Sequence, residues 1–265
     1  MISDFLVVGG GIVGISIARE LKRRFADSTV HVIEKERTGT EHSSGRNSGV
    51  LHAGFYYTAD SLKARFTRDG NRLLTEYCIE RGLPINRCGK LVVAQTENDL
   101  SSLDELLRRG KKNGVVLQAI TEAEAKEIEP RVKTVQRAIF SPTTSSVDPV
   151  TVVNAMQEDA NAEGVVFHHG TKYLGLSNGS LLTNKGKRTS GYVVNAAGAY
   201  ADKVARDFGF SEKYRILPFK GLYIYSDETQ GVIRTHIYPV PNLRNPFLGV
   251  HFTVTVDGHV KIGPT

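Results

Sequence analysis

The sequence predicts an α/β fold in which a parallel-sheet domain is interleaved with an α+β domain dominated by an antiparallel sheet. Three observations predict it. The chain opens with a strand, a glycine turn and a helix, "DFLVVGGGIVGISIARELKRR", followed by a second strand, "TVHVIEKE". Another strand, turn and helix recur at "GYVVNAAGAYAD". From residue 215 onward the chain reads as strands: "RILPFKGLYIYSD", "THIYPVP", "FLGVHFTVTVDG" and "HVKIGP". The order βαβ, α+β, βαβ and then β implies two domains threaded through each other.

The first element carries the most information. Phe5 to Val8 form a short apolar run suited to a buried parallel strand. Gly9, Gly11 and Gly14 spell G-x-G-x-x-G, and the helix behind them sets Ile12, Ile15, Ala18 and Leu21 at helical spacing. Gly9 permits the tight turn, Gly11 lets a pyrophosphate approach the backbone, and Gly14 lets helix pack on strand. Free N–H groups and the positive end of the helix dipole face the phosphates. Glu34 closes the second strand about 20 residues further on, where an acid bonds ribose hydroxyls and disfavours a 2′-phosphate. The pattern is that of a Rossmann-like dinucleotide domain, and by itself it does not separate FAD from NAD. The small residues Ala196, Ala197 and Gly198, after a second apolar strand, offer another close backbone approach.

The middle of the chain supplies helices and short strands. "DSLKARFTRDGNRLLTEYCIERGL" reads as an amphipathic helix with Leu62, Phe66, Leu73, Leu74 and Tyr77 inward and Gly82 as its stop. "GKLVVAQT" reads as a strand. The next helix places Leu100, Leu103, Leu106 and Leu107 inward and ends at Gly114. Thr121 and Glu124 form a capping box for a short helix that stops at Pro130. Asp148 and Pro149 open a further helix that ends at Gly164.

The bulk properties exclude several classes. With 265 residues, 40% hydrophobic and 23% charged, the chain can bury a sizeable core. No apolar run approaches the roughly 18 residues of a membrane span. The first strand begins almost at the N-terminus, which leaves no room for a targeting segment and favours a cytoplasmic protein. The net charge of +6 is scattered rather than clustered, with "LKRRF" and "RRGKK" the densest runs. That pattern suits solvated helix faces, with a peripheral membrane or partner surface as the alternative, and does not call for nucleic acid. Cys78 and Cys88 match neither a redox pair nor a metal site, and no metal cluster is visible.

Four segments taken together, "VVGGGIVG…EKE", "SSGRNSGVLHAGFYY", "VVNAAGAYAD" and "IYPVPNLRNPFLGVHFTVTVDGHVKIGP", resemble the FAD-dependent oxidoreductases of the D-amino-acid-oxidase-like superfamily. Within it the chain is most similar to the L-2-hydroxyglutarate dehydrogenase or oxidase family, through "NSGVLHAGFYY", "LKARF" and "PFLGVHFT". The resemblance implies FAD rather than NAD, and hydride transfer from L-2-hydroxyglutarate to the flavin, giving 2-oxoglutarate. It also implies a quinone or oxygen as electron acceptor. It implies an FAD-binding domain over residues 1–84 and 147–213 and a substrate domain over 85–146 and 214–265. Members of the family run longer and return to the FAD domain, so that final FAD-binding part is expected to be absent here and a separate chain is one way to supply it. Amino-acid or glycerol-3-phosphate oxidation within the superfamily, and a non-catalytic FAD-binding fragment, are the competing expectations.

Carried onto this sequence, the resemblance assigns Gly9, Gly11, Ile12, Gly14, Glu34 and Lys35 to the adenosine and pyrophosphate. The backbone from Gly45 to Gly49, with Asn47 and Ser48 as donors, is assigned to the flavin side. Tyr173 matches a strand position whose backbone meets the adenine, and Ala197 and Gly198 fall on a second FAD contact. For the chemistry, a base must take the hydroxyl proton and cations or donors must hold the carboxylates. Histidine is tuned for the first task. His52, in a glycine-flanked segment, and His251, in an apolar strand, are the expected catalytic pair. Lys220, on what reads as an apolar strand, is the expected carboxylate ligand, with Tyr57 and Tyr238 as hydroxyl donors.

Overall fold

The apolar run near the N-terminus is the middle of a sheet. In the computed structural model, which describes residues 2–242 and 249–263, strand β1 (Ile2–Val8) is followed by α1 (Ile12–Arg24), β2 (Val30–Ile33), β3 (Val50–Leu51) and α2 (Leu62–Glu80). Next come β4 (Ile85–Asn86), β5 (Lys90–Val93), α3 (Leu100–Lys112), β6 (Gln118–Thr121) and α4 (Glu122–Ile128). Then follow β7 (Arg137–Ser141), β8 (Ser145–Val147), α5 (Pro149–Ala162), β9 (Val166–His168), β10 (Tyr173–Ser177), β11 (Ser180–Thr183) and β12 (Gly186–Asn195). The last elements are α6 (Ala201–Asp207), β13 (Ile224–Tyr225), β14 (His236–Pro239), β15 (His251–Val254) and β16 (Val260–Gly263). The chain divides into two units, residues 1–47 with 149–219 and residues 48–148 with 220–265. Met1, residues 243–248, which include most of "LRNPFLG", and residues 264–265 lie outside the described residues.

The first unit is built on a six-stranded sheet in the order β10-β11-β12-β1-β2-β9. β1 pairs in parallel with β12 on one side and β2 on the other, and β2 with β9. Because side chains alternate along a strand, β1 feeds two cores. Val7 packs with Ile15 and Ala18 of α1, Val30 and Val32 of β2, and Val153 and Ala160 of α5. Leu6 and Val8 pack on the other face with Ile33, Leu181 and Val204. That double burial is why β1 reads as an unbroken apolar run. Arg19 of α1 clasps Glu163, just past α5, through Nε and Nη2 at 2.9 and 2.8 Å.

The second unit has a seven-stranded sheet, β13-β16-β15-β14-β5-β7-β6, and a small sheet, β3-β8-β4. Within the larger sheet only β5 and β14 pair in parallel among the described pairings; the others are antiparallel. α3 buries Leu103 and Leu106 against Val92, Ile139, Ala53 and Phe55, as its leucine spacing predicts. On the other side of β5, Leu91 and Val93 meet Ala125 of α4. The Thr121–Glu124 capping box forms as expected.

Two expectations are corrected. The first concerns α2, whose Leu62, Phe66 and Leu73 are exposed. Its inward stripe is Ala64, Arg68, Asn71, Thr75 and Cys78. Small and polar residues serve there because the helix backbone lies against Gly54, where an added Cβ would come within 3.0 Å of the Ala64 carbonyl. Asn71 meanwhile donates to the Leu51 and Thr143 carbonyls at 2.8 and 3.1 Å. The second concerns "RILPFKGLYIYSD", of which only Ile224 and Tyr225 are strand, paired with β16, while Leu217, Phe219 and Leu222 are exposed. The division into compact units falls between Asn47 and Ser48. The reason is that β3 pairs with β8, and α2 packs beside it, within the second unit. No helix among the described residues is long and apolar enough to cross a membrane.

Candidate functional site

In the first unit the glycine turn sits at the carboxyl ends of β1, β2 and β12. Gly9 has φ +113°, a left-handed conformation that favours glycine, and a Cβ there would lie 2.3 Å from the Ala196 carbonyl oxygen. A Cβ on Gly14 would lie 1.9 Å from the Gly9 carbonyl oxygen. The chain leaves β1 toward β2 and β9 on one side and comes back at β12 on the other, so this is the point where strand order reverses. Ligands of open α/β sheets bind at such a point. Ala197 and Gly198 lie at the adjoining end of β12; Gly198 has φ +55° and open space above its Cα.

Glu34 is buried directly after β2. Its Oε2 accepts from the Gly10 N–H at 2.8 Å and its Oε1 from the Glu36 N–H at 2.9 Å. A carboxylate has about four acceptor positions, so each oxygen retains one for a ribose hydroxyl. Helix α1 has Gly11 at its N-cap and no cap bond from that residue's side chain. Ser44, which the sequence reading passed over, accepts from the Ile12 N–H at 3.0 Å. Lys35 pairs with Glu36 at 3.1 Å and lies over the Tyr200 ring. These residues fit a dinucleotide held by its phosphates and ribose.

The remaining expected cofactor residues are placed less directly. A Cβ on Gly45 would lie 2.1 Å from the Thr40 carbonyl oxygen, and the Asn47 amide donates to the Ser43 and Ser44 carbonyls at 3.0 Å each. Those contacts shape the loop itself. In the second unit, Ser48 Oγ accepts from the Val50 N–H at 3.4 Å, and Gly49 has φ +78° with its carbonyl accepting from the Val147 N–H at 2.9 Å. Tyr173 opens β10 and donates its hydroxyl to Asp207 at 3.0 Å.

A second cluster lies wholly within the second unit. Register aligns Lys90 with His236 and Tyr238 with Val92 across β5 and β14, and pairs Ile237 with Phe252 across β14 and β15. Alternation then puts Lys90, His236, Tyr238 and His251 on one face of the sheet. The rings of Tyr238 and His251 stack at 3.9 Å. His52, just past β3, approaches the Lys90 ammonium with Nδ1 at 3.4 Å. Lys90 is 0% exposed, and the Phe55, Tyr56 and Tyr238 rings surround its Nζ at 4.9, 4.6 and 4.8 Å. No carboxylate pairs with it among the described residues, and burial holds its pKa down to about 7. The sequence reading missed Lys90, although a lysine opening the apolar strand "KLVV" was its signal.

The hydrogen bonds assign the histidine tautomers. His236 accepts at Nδ1 from the Val254 N–H at 3.1 Å and, through Nε2, meets Ser146 Oγ at 3.3 Å. Ser146 donates onward to the Val254 carbonyl. Both ring nitrogens are engaged, and burial pushes the pKa of His236 down to about 3. His251 has Nδ1 at 2.8 Å from the Gly249 carbonyl, which can only accept, so Nδ1 carries the proton and Nε2 carries a lone pair. Burial lowers the pKa of His251, and that of His52 well below its ordinary value, with the Lys90 charge adding to both.

The expected pair His52 and His251 therefore meets in one cluster with Tyr238. Tyr57 does not join it through any described contact; its ring lies under Lys63 Nζ at 4.5 Å. Lys220 is exposed on irregular chain ahead of β13, and no described contact links it to the cluster. The strand expected to turn it inward does not extend to it.

Comparison with known proteins agrees with this fold. The family model described as FAD dependent oxidoreductase (DAO) matches residues 4–265. The chain is 39% identical to the mitochondrial L-2-hydroxyglutarate dehydrogenase of Nematostella vectensis, over 98% of this chain and 61% of the relative. It is 36% identical to that of Homo sapiens, over 98% and 60%, and 33% identical to the L-2-hydroxyglutarate dehydrogenase of Escherichia coli K12, over 98% and 63%. The chain thus spans about three fifths of the length of these relatives. Among solved structures, the glycine oxidase of Geobacillus kaustophilus shares the fold with TM-score 0.85 at 24% identity, over 100% of this chain and 71% of that one. The L-alpha-glycerophosphate oxidase of Mycoplasma pneumoniae, with FAD bound, has the same TM-score, identity and coverage. The glycine turn, its buried acid and the match along nearly the whole chain place this protein in the FAD-dependent oxidoreductase (DAO) family.

Proposed function

We propose that the chain serves FAD-dependent oxidation of a 2-hydroxy acid, with L-2-hydroxyglutarate as the substrate and 2-oxoglutarate as the product, the electrons passing to a quinone or to oxygen. The substrate assignment follows the names of relatives 33–39% identical to it. The observation that carries the chemistry is the Nδ1–H bond from His251 to the Gly249 carbonyl, which leaves Nε2 as a proton acceptor. A neutral imidazole held in one tautomer, with its pKa depressed by burial, is ready to accept a hydroxyl proton at physiological pH.

In this reading FAD, when bound, supplies the hydride acceptor. Gly9, Gly11, Gly14 and Glu34 bind its adenosine and pyrophosphate, with Ala197 and Gly198 alongside. The loop from Gly45 to Gly49 and the backbone at Tyr173 serve the same cofactor. His251 Nε2 takes the hydroxyl proton, and stacking on Tyr238 keeps the ring in plane. His52 donates to a substrate carboxylate. Units 1–84 with 147–213 and 85–146 with 214–265 remain the proposed functional domains, for cofactor and substrate respectively.

The test is anaerobic reduction of bound flavin. The protein is loaded with FAD, alone and together with a polypeptide covering the rest of a relative's length, and L-2-hydroxyglutarate is added. Bleaching of the flavin band by L-2-hydroxyglutarate, and its loss in His251→Phe with flavin retained, is the expected result. Bleaching by glycine or glycerol 3-phosphate instead would replace the substrate assignment. A protein that takes up no flavin in either form would overturn the reading.

A further inference from the structure

Lys90 is a buried cation that the proposed chemistry leaves without a task. It is fully enclosed, it opens the interior strand β5, and no carboxylate neutralises it among the described residues. A cation so placed is costly unless it acts on something. Among the described residues its one polar neighbour in hydrogen-bond range is His52 Nδ1, at 3.4 Å. An ammonium has three donors and no acceptor. Facing it, Nδ1 presents its lone pair, because an N–H turned toward an ammonium would set two positive ends together. The His52 proton then resides on Nε2. His52 and His251 are therefore opposite tautomers: His251 carries its proton on Nδ1, through the Gly249 carbonyl, and His52 on Nε2.

We propose that Lys90 is a positioning residue: its buried ammonium holds His52 as the Nε2–H tautomer, making His52 the donor to an anionic group of the substrate. The inference rests on the reading above that this cluster handles the substrate. It deepens that reading by dividing the labour, with His52 donating and His251 accepting. It also specifies the substrate class. The only uncompensated charge among the described groups of the cluster is positive, so a carboxylate-bearing substrate completes it and a neutral alcohol does not.

The arrangement is sensitive to pH through Lys90. The titratable groups around it are His52 and Tyr56 from the segment after β3, His236 and Tyr238 from β14, and His251 from β15, with Cys88 ahead of β5 interacting with Tyr238. Tyr56, Tyr238 and Cys88 are driven up by burial, Tyr238 to about 12 and Cys88 to about 11. The three histidines are driven down. Lys90 alone among them is brought close to neutrality. When it loses its proton, the reason for the His52 tautomer goes with it.

The experiment reads the tautomer rather than turnover, so it fails or succeeds independently of the substrate assignment. The chain is labelled with 15N-histidine, and the His52 ring nitrogens are followed by long-range 1H–15N correlation across pH 6 to 9. Assignment uses His52→Gln. The expected result is the Nε2–H pattern at low pH, drifting toward mixed tautomers with a midpoint near 7, and mixed tautomers throughout in Lys90→Met. His52 found as the Nδ1–H tautomer in the unaltered chain would overturn the proposal, and that measurement needs no folded variant. An unchanged His52 pattern in a folded Lys90→Met would overturn it as well. In the flavin-loaded enzyme, the companion expectation is a KM raised at least tenfold in Lys90→Met. A defect confined to kcat, with KM unchanged, would overturn the role in substrate-anion binding.

Discussion

Lys90 also makes stability depend on pH in a way that can be calculated. Its ammonium has a pKa of about 7 in the folded chain against 10.5 for the free side chain, the cause being burial. Between those values the unfolded chain binds the additional proton, so the folded state gains stability as pH rises. From pH 7 to pH 9 the gain is RT times the logarithm of the change in the ratio of the unfolded-state to the folded-state titration factor, about 2 kcal/mol. Other groups touch this window only at its edges. The histidines with lowered pKa have made most of their contribution above their unfolded value of 6.5. Cys88, raised above its free value of 9.0, begins to act against stability as pH approaches 9, and Tyr238, raised above 10.0, does so at higher pH. Urea unfolding at pH 7, 8 and 9, followed by fluorescence and circular dichroism, measures the slope. Lys90→Met keeps most of the length of the side chain and removes the titration, so its stability should be flat to within about 0.5 kcal/mol over the same range. A flat profile in the unaltered chain, or an equal rise in Lys90→Met, would refute the reasoning.

Three further outcomes are expected. Leu106→Ala removes a fully buried side chain of α3 and should cost about 2–5 kcal/mol in urea unfolding; a cost under 1 kcal/mol would contradict its packing against Val92 and Ile139. Leu73→Ser, on the exposed face of α2, should change stability by no more than about 0.5 kcal/mol, and a loss several times larger would restore the inward face that its spacing suggests. Gly14→Ala forces a methyl group against the Gly9 carbonyl and should lower stability by about 1–3 kcal/mol. The same variant should abolish flavin retention on gel filtration, whereas full retention would show that the turn is not the phosphate cradle.

What the sequence by itself determined was everything whose cause is local. The glycine turn is legible because Gly9 and Gly14 are required by contacts within one strand–helix unit, and Glu34 follows at the end of the next strand. The leucines of α3 and the Thr121–Glu124 box are legible for the same reason, since spacing along one helix states which groups meet. Even His52 and His251 could be singled out, each by its apolar or glycine-rich flanks. What only the tertiary structure decided was which face of α2 turns inward and which cation sits in the core. A stripe of Ala64, Asn71 and Cys78 is chosen by the close approach of Gly54, a partner in another segment, and amphipathic spacing carries no information about it. Lys220 and Lys90 differ in burial for a similar reason. Both stand beside apolar residues in the sequence, but Lys90 is enclosed because β5 lies between β14 and β7, while Lys220 precedes a two-residue strand and stays in solvent. Pairing of strands far apart in the chain brings residues 90, 238 and 251 to one face, and that pairing is set by long-range burial rather than by any property of the residues taken one segment at a time.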